Sequence, residues 1–226
     1  SVNRYKIKIK HMNLFQEFID RGIKFKVMPH KYKMTHTFDQ PTNDPQNYYW
    51  FSEGFNKIEL QKIYEDTDKL PIQKATTFSD NDNSVRSSSV KWIPKTPEWE
   101  WLYQRLMDYA TEANNALWGF DLISAPELIQ YTEYYDSANG HYDWHQDIGP
   151  GIGSLRKVSI TVQLSDTDEY EGGDLEIWQG GQSVLQAPRG AGNVVIFPSY
   201  MMHRVKQVTK GTRRSFVLWV GGQHYK

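Results

Sequence analysis

The stretch "ELIQYTEYYDSANGHYDWHQDIGPG" (residues 127–151) contains two short runs rich in aromatic and alternating apolar residues, bounded by glycine and proline turn residues. Such runs are typical of β-strands joined by tight turns. Similar runs occur throughout the chain from Gly119 to the C-terminus. They are separated by turns such as "GPGIG", "EGGD", "QGGQ" and "PRGAG". The second half of the chain is therefore predicted to be antiparallel β-sheet.

The first half has a different period. Behind "NYYWF" (47–51), a short predicted strand, Ser52 is a candidate N-cap for a helix. A longer helix is predicted from about Pro97 to Leu117, where apolar residues recur at helical spacing. We therefore predict an α+β fold in which N-terminal helices support a double-stranded β-helix (jelly-roll) core of antiparallel strands.

Composition limits the classes of function. The chain has 226 residues, 38% of them hydrophobic, which is enough for one domain or one domain with an appendage. Cysteine is absent, which excludes disulfides and thiolate metal sites. A net charge of −1 and the lack of a long apolar run give no indication of nucleic-acid binding or of a membrane span, and no secretory signal pattern is seen. We predict a cytoplasmic protein.

The N-terminal segment is basic. "SVNRYKIKIKHM" alternates like a strand and carries four cations without an acid. A nucleic-acid-binding arm is one reading, but the His11-Met12 pair resembles a cloning junction and favours a tag remnant. We predict an N-terminal extension over residues 1–46 and the main domain over 47–226. The polar stretch 78–89 is predicted to be a loop.

His145 and Asp147 stand two residues apart before the "GPG" turn. In a strand, residues i and i+2 point to the same side, so the imidazole and the carboxylate would converge. This pair suits a divalent metal ion. A surface strand that ends in a turn-forming aspartate would give the same letters.

A second histidine follows in "VVIFPSYMMHRVKQV" (194–208). His203 lies 56 residues after Asp147 (203 − 147), about five strand-and-turn units, which would return the chain to the same end of a small double sheet. Two imidazoles and one carboxylate form a facial triad that suits non-haem Fe(II) better than a closed zinc site. By itself, His203 could equally be a half-buried residue at a strand end.

An anion site is predicted ten residues further on. In "TRRSFVLWV", strand alternation places Arg213, Ser215, Val217 and Trp219 on one face. An arginine and a serine on a buried strand would bind an anion, since the guanidinium can donate two parallel hydrogen bonds to a carboxylate. The alternative is an internal ion pair with Glu176 or Asp174.

Together these motifs resemble the Fe(II)/2-oxoglutarate-dependent dioxygenases, in particular the prolyl-4-hydroxylase-like branch with its bacterial and viral PKHD-type hydroxylases. The resemblance covers roughly residues 50–222. It is carried by the order and spacing of His-x-Asp, the later histidine and the basic residue, and by the strings "LIQYTEYYDSANGHYDWHQD", "EGGDLEIW" and "VIFPSYMMHRVKQVTKGTRRSFVLWV". "SSVKWI" and "EANNALWGFDL" resemble the upstream part of the same domain.

The resemblance implies roles for individual residues. His145, Asp147 and His203 would be catalytic iron ligands, and Arg213 would bind the distal carboxylate of 2-oxoglutarate. The remaining cosubstrate-binding residues that it implies are Ser215, Tyr131, Tyr142 and Trp219, with Gln163 as a looser match. Arginine at the basic position departs from the many prolyl hydroxylases that have lysine there.

The implied function is hydroxylation of a peptidyl residue such as proline, coupled to decarboxylation of 2-oxoglutarate to succinate. The implied cofactors are Fe(II), 2-oxoglutarate and O2, with ascorbate as an optional addition. The protein would be a monomer or weak homodimer, in the host cytoplasm if the source is viral. Three alternatives remain: the same chemistry on a small molecule, a non-catalytic jelly-roll binding module and a zinc hydrolase. For a peptide substrate, the loop 78–91 would be the groove wall, with Arg86 and Trp92 as contacts.

Overall fold

The structure is a computed structural model that describes residues 46–75 and 85–225. The predicted N-terminal extension, apart from its last residue, and positions 78–84 of the predicted polar loop lie outside these described residues. Among the helices in the described ranges, none is long and apolar enough to cross a membrane.

Two α-helices lie between strands in the first half of the described chain, and the rest is mainly β-structure. The helices are α1 (Lys57–Thr67) and α2 (Glu100–Leu117). The strands are β1 (Tyr49–Phe51), β2 (Gln73–Lys74), β3 (Arg86–Ser87), β4 (Ser89–Ile93), β5 (Leu122–Ser124), β6 (Ile129–Tyr135), β7 (His141–His145), β8 (Arg156–Gln163), β9 (Tyr170–Gly172), β10 (Leu175–Gly180), β11 (Ser183–Gln186), β12 (Val194–Pro198), β13 (His203–Val205) and β14 (Val208–Gly222).

The strands form two antiparallel sheets. The major sheet has the order β1-β12-β8-β14-β6-β4-β2, with β5 and β9 also paired to β14. The minor sheet has the order β11-β10-β13-β7-β3. This arrangement is a double-stranded β-helix core with two supporting helices, which confirms the predicted fold class.

The central strands of the major sheet are buried on both faces. All eight residues of β8 are buried, and from Lys157 to Gln163 they alternate between polar and apolar side chains. Val158, Ile160 and Val162 belong to the core that includes the helices. The alternate positions hold polar residues that face the other way, namely Ser159, Thr161 and Gln163. One face of β8 therefore packs the core, while the other carries buried polar groups.

Strand β14 repeats this division with the predicted phase. Phe216, Leu218 and Val220 join the helix-side core. Arg213, Ser215, Val217 and Trp219 instead line a cavity on the opposite face. A second apolar cluster fills the rest of the space between the sheets and includes Tyr134, Tyr170, Leu175, Ile177, Val195, Phe197, Val205 and Val208.

The first helix begins four residues later than predicted. Its N-cap is Asn56, whose side chain accepts hydrogen bonds from the backbone N–H groups of Ile58 and Glu59, while the Glu59 carboxylate accepts from the Asn56 backbone. This reciprocal capping box satisfies N–H groups that have no partner inside the helix. Ser52 lies in the preceding turn, so its assignment as the N-cap is wrong.

Two other boundaries differ from the prediction. Helix α2 begins at Glu100, and Pro97 lies in the turn before it. Arg86–Ser87, predicted as loop, forms the short edge strand β3, where Arg86 is in register with Tyr142 of β7. The polar composition of this segment conceals the strand, because edge strands often carry polar residues.

The contrast between two apolar residues of the helices gives a test of the core. Leu106 of α2 is fully buried, whereas Ile58 of α1 is 83% exposed. Leu106→Ala should lower the free energy of unfolding by roughly 2–5 kcal/mol, because it removes buried methyl groups and leaves a cavity. Ile58→Ala should change it by less than about 0.5 kcal/mol. Urea denaturation of both variants measures the difference, and equal losses would contradict the assigned packing.

Candidate metal centre and anion site

Three potential metal ligands meet at one end of the minor sheet. His145 is the last residue of β7, and it is in register with His203, the first residue of β13. Asp147 follows β7 by two residues and is buried. The ligand atoms of these three residues lie within 4.8 Å of one another. The structure thus brings together the three residues that the sequence singled out.

Backbone carbonyls fix the orientation of both imidazoles. The Nδ1 atom of His145 lies 2.7 Å from the Asp143 carbonyl oxygen, and that of His203 lies 2.9 Å from the Met201 carbonyl oxygen. Because a carbonyl can only accept, each Nδ1 carries a proton, which leaves Nε2 as the ring nitrogen that can bind a metal ion. The two Nε2 atoms stand 3.8 Å and 3.6 Å from the oxygens of Asp147.

Asp147 is held at its side chain and at its backbone. The Ser159 hydroxyl donates to Oδ2 at 2.6 Å. The Asp147 N–H donates to the Ser199 carbonyl at 2.9 Å, and the Asp147 carbonyl accepts from Arg156 at 2.9 Å. These contacts leave Oδ1 directed at His145 rather than at another donor. Outer hydrogen bonds of this kind orient metal ligands.

The electrostatics keep the site in its ligating form. Burial would raise the pKa of Asp147, but the two neighbouring histidines and the Ser159 hydrogen bond outweigh it, and the pKa is lowered. Burial, followed by repulsion from His203, lowers the pKa of His145 to about 3. The carboxylate is therefore charged and the His145 imidazole neutral at neutral pH, as metal ligation requires.

This donor set fits a divalent ion. The separations of 3.6–3.8 Å are longer than hydrogen bonds. They are short enough for one ion with bonds of about 2 Å to contact all three residues. Two imidazoles and a carboxylate with no fourth protein ligand among the described residues match the facial triad of non-haem Fe(II) sites.

Arg213 forms the second half of the site. It is only 1% exposed, and its guanidinium donates to the Gln163 side chain at 2.9 Å and to the Ser215 hydroxyl at 3.3 Å. Its Nε has no hydrogen-bond partner. Both partners are neutral, and no carboxylate pairs with Arg213 among the described residues. A buried charge in this state is costly unless an anion joins it.

The alternative of an internal ion pair for Arg213 is wrong. Asp174 pairs with Arg189 and Lys206. Glu176 pairs with Arg204 and Lys206. Both carboxylates thus serve other cations.

The neighbourhood of Arg213 is closely packed. The guanidinium carbon lies 5.4 Å from the ring centroid of Tyr134. Gly173 has a φ of +64°, and a Cβ there would lie 3.1 Å from Cδ of Arg213. Glycine at this position of "EGGD" therefore suits both the turn and the close approach of the arginine.

One cavity of about 330 Å³ joins the triad to Arg213. Tyr142 and Trp219, both predicted site residues, line it, as do Arg86 and Trp92. Tyr142 stacks on His145 with ring centroids 3.4 Å apart. Trp219 is in register with Ser159, at the metal end of the cavity.

Tyr131 does not reach this cavity. It lies on the helix-side face of β6, where it packs edge-on against Phe216 and belongs to the main apolar core. Residues of β6 with the opposite phase, Gln130 and Tyr134, line the cavity instead. The prediction that Tyr131 contacts the cosubstrate is thus corrected, and Tyr134 is a tyrosine of this strand that lines the cavity, in register with Arg213.

The sequence reasoning missed several residues of the site. Ser159 supports Asp147, and Gln163, matched only loosely, is a direct partner of Arg213. A signal was present, because the alternation in "RKVSITVQ" places Ser159, Thr161 and Gln163 on one face. The Arg156–Glu127 ion pair, which also lines the cavity, has no signal in the local sequence.

Removal of the hydroxyl beside Asp147 tests the support of the metal centre. Ser159→Ala should weaken binding of Mn(II) by roughly 10–100-fold, because it frees one carboxylate oxygen to rotate. Ser154→Ala is the control, since that hydroxyl donates to the Gly151 carbonyl and not to a residue of the triad. Calorimetric titration with Mn(II) measures both, and an unchanged affinity in Ser159→Ala would contradict the role.

The low pKa of His145 predicts an acid-sensitive apoprotein. Because the pKa is lower in the folded than in the unfolded state, stability is full above pH 6.5 and falls as the pH drops toward 3. Between pH 7 and pH 5 this group alone should cost about 2 kcal/mol. Urea denaturation with chelator present should show a weaker pH dependence for His145→Asn than for the wild type or His141→Asn. The same slope in all three proteins would refute this.

Comparison with known proteins agrees with this geometry. Residues 129–221 match the profile of the 2OG-Fe(II) oxygenase superfamily, where 2OG is 2-oxoglutarate. A PKHD-type hydroxylase of Synechococcus is 39% identical over 84 residues, which is 37% of this chain and 38% of that protein. One from Acinetobacter baumannii is 33% identical over 147 residues, or 59% of this chain and 62% of that protein. The chain thus matches from about two fifths to three fifths of these relatives.

Solved structures share the fold. A Pseudomonas putida prolyl-4-hydroxylase superimposes with a TM-score of 0.64 at 18% identity, covering 78% of this chain and 93% of that one. A Trichoplax adhaerens prolyl hydroxylase, solved in complex with a peptide fragment of hypoxia inducible factor, gives 0.63 at 15% identity, covering 77% and 83%. Profile and relatives agree: residues 129–221 match the 2OG-Fe(II) oxygenase superfamily, and the relatives that the chain resembles in sequence are PKHD-type hydroxylases.

Proposed function

We propose that this protein is a non-haem Fe(II)- and 2-oxoglutarate-dependent hydroxylase that acts on a peptidyl residue such as proline. One observation carries the proposal: the buried guanidinium of Arg213, without a carboxylate partner among the described residues, shares a cavity with the triad of His145, Asp147 and His203. A metal site and an anion site in one cavity suit a cosubstrate that is both a chelator and an acid.

Each group of the cavity has a task in this reaction. The triad would hold the iron, and Arg213 would bind the distal carboxylate of 2-oxoglutarate, with Ser215 and Gln163 orienting the guanidinium. Bound Fe(II) would supply the activation of O2, with one oxygen atom entering succinate as 2-oxoglutarate loses carbon dioxide and the other entering the substrate as a hydroxyl group. The protein supplies position and a site largely shielded from water.

The aromatic lining supports a peptide substrate with a ring to bury. Trp92 and Tyr142 both face the cavity, and the stack of Tyr142 on His145 places an aromatic face beside the metal ligands. Prolyl hydroxylases are among the proteins that share this fold, and one of them was solved with a peptide. These observations favour a peptide over a free metabolite.

The proposal extends to the setting of the enzyme. We place the catalytic domain at residues 47–226 and include ascorbate as an auxiliary reductant. The absence of cysteine supports a reducing compartment such as the cytoplasm, where the protein would work as a monomer or weak homodimer.

Two adjacent arginines test the anion site. Arg213→Ala should raise the KM for 2-oxoglutarate at least tenfold while the affinity for Mn(II) stays nearly constant, because only the carboxylate partner is lost. Arg214 is the matched control, since it lies on the other face of β14 and pairs with Glu133. Succinate release measures the KM. If Arg214→Ala, and not Arg213→Ala, raised the KM for 2-oxoglutarate, the assigned face of β14 would be wrong.

One reaction mixture tests both the iron ligands, through succinate release, and the substrate, through the mass of the peptide. His203→Ala should abolish succinate release in the presence of Fe(II), whereas His141→Ala, in the partner strand, should retain it. Mass spectrometry should show a gain of about 16 Da on proline-containing peptides, the mass of one oxygen atom. Full turnover by His203→Ala would overturn the metal assignment. Turnover of free metabolites, but of no peptide, would overturn the peptide substrate.

A further inference from the structure

Arg86 is a second buried guanidinium in the cavity. It is 8% exposed, and it donates from Nε to the Ser88 hydroxyl at 2.8 Å and from Nη2 to the Gln130 side-chain oxygen at 3.0 Å. Both acceptors are neutral. Among the residues that the structure describes, no carboxylate pairs with Arg86.

The position of Arg86 is close to the metal ligands. Its guanidinium carbon lies 4.6 Å from the ring centroid of Tyr142, and that ring also stacks on His145, with centroids 3.4 Å apart. The cation and one ligand of the triad therefore contact the same aromatic ring. A group bound by Arg86 would lie beside the reacting centre.

Among the described residues that line the cavity, no acidic side chain compensates the charge of Arg86. Glu127 is occupied by Arg156 through two bonds of 2.6 Å. Asp147 belongs to the triad, and these two are the acidic residues among the described lining. Under the proposed function, the distal carboxylate of the cosubstrate is taken by Arg213. A further anion is needed to neutralise Arg86.

The two arginines reach the cavity from different sheets. Arg213 comes from β14 of the major sheet and is held by Gln163 of β8. Arg86 comes from β3, the edge strand of the minor sheet, and is held by Gln130 of β6. Because different side chains orient the two guanidinium groups, we assign them different ligands. Arg86 is then suited to the substrate rather than to the cosubstrate.

We propose that Arg86 binds a carboxylate of the substrate and thereby selects substrates with an acidic group close to the hydroxylated residue. The proposal rests on the proposed function. The carboxylate could be an acidic side chain next to the target residue or a free α-carboxylate at the end of the substrate. Arg86 is thus a specificity-determining residue whose loss should affect substrate recognition and not cosubstrate binding.

Four proline peptides of equal length distinguish these sources. One pair carries Glu or Gln beside the proline, and the other has a C-terminal acid or amide. Fluorescence anisotropy with protein loaded with Mn(II) and 2-oxoglutarate gives each affinity. The wild type should bind the charged member of one pair at least tenfold more tightly, and Arg86→Gln should abolish that difference. The pair that responds identifies the source.

A matched control separates recognition from structure. The guanidinium carbon of Arg204 lies 4.7 Å from the ring centroid of Trp144, which is in β7 like Tyr142. Unlike Arg86, Arg204 pairs with a carboxylate, that of Glu176. Arg204→Gln should keep the discrimination between charged and neutral peptides. Arg86→Lys keeps the charge but loses the bidentate guanidinium, so it should retain part of the discrimination. In both Arg86 variants, the KM for 2-oxoglutarate and the succinate released without peptide should match the wild type.

The outcomes are distinct. Equal affinity of the wild type for both members of each pair, or full discrimination in Arg86→Gln, would overturn the proposal. So would a raised KM for 2-oxoglutarate in Arg86→Gln, because it would make Arg86 a cosubstrate residue. No succinate from the wild type with Fe(II) and 2-oxoglutarate would count against the proposed function instead, while the binding assay on the Mn(II) protein would still decide the role of Arg86.

Discussion

The burial of a guanidinium that has no counter-charge in the part of the chain described by the structure is the constraint on which this site depends. Arg213 is enclosed by strands that are buried on both faces, and its partners Gln163 and Ser215 offer only neutral oxygens. Such an arrangement is stable at low cost only if an anion completes it. The polar face of β8 and β14 follows from this demand, while the opposite face of the same strands supplies the apolar core under the helices.

The two halves of the site are held by different sheets. The triad residues lie in or next to β7 and β13 of the minor sheet, whereas Arg213 and its partners lie on β8 and β14 of the major sheet. The apolar cluster between the sheets, with Phe197 against the His203 ring at 4.7 Å, therefore sets the distance between metal and anion. A close-packed interior makes this distance well defined.

Local patterns predicted much of this site. The alternation in β14 placed Arg213 and Ser215 on the cavity face, because every second residue of a strand shares a side. The role of Tyr131 was implied by the resemblance and not by alternation, and alternation could not have corrected it, since β6 is buried on both faces and its sequence gives no contrast between them. Pairing across the sheets was also invisible, so the hydrogen bond from Ser159 to Asp147 and the edge strand at Arg86 appear only in three dimensions.

The central claim is that metal and Arg213 jointly bind a dicarboxylate. Calorimetry under anaerobic conditions should compare 2-oxoglutarate with 2-oxobutyrate, which has the same keto acid end but no distal carboxylate. Protein loaded with Mn(II) should bind one 2-oxoglutarate, at least tenfold more tightly than 2-oxobutyrate, and metal-free protein should bind both weakly. Equal affinity for the two acids, or 2-oxoglutarate binding that does not depend on the metal, would contradict the account.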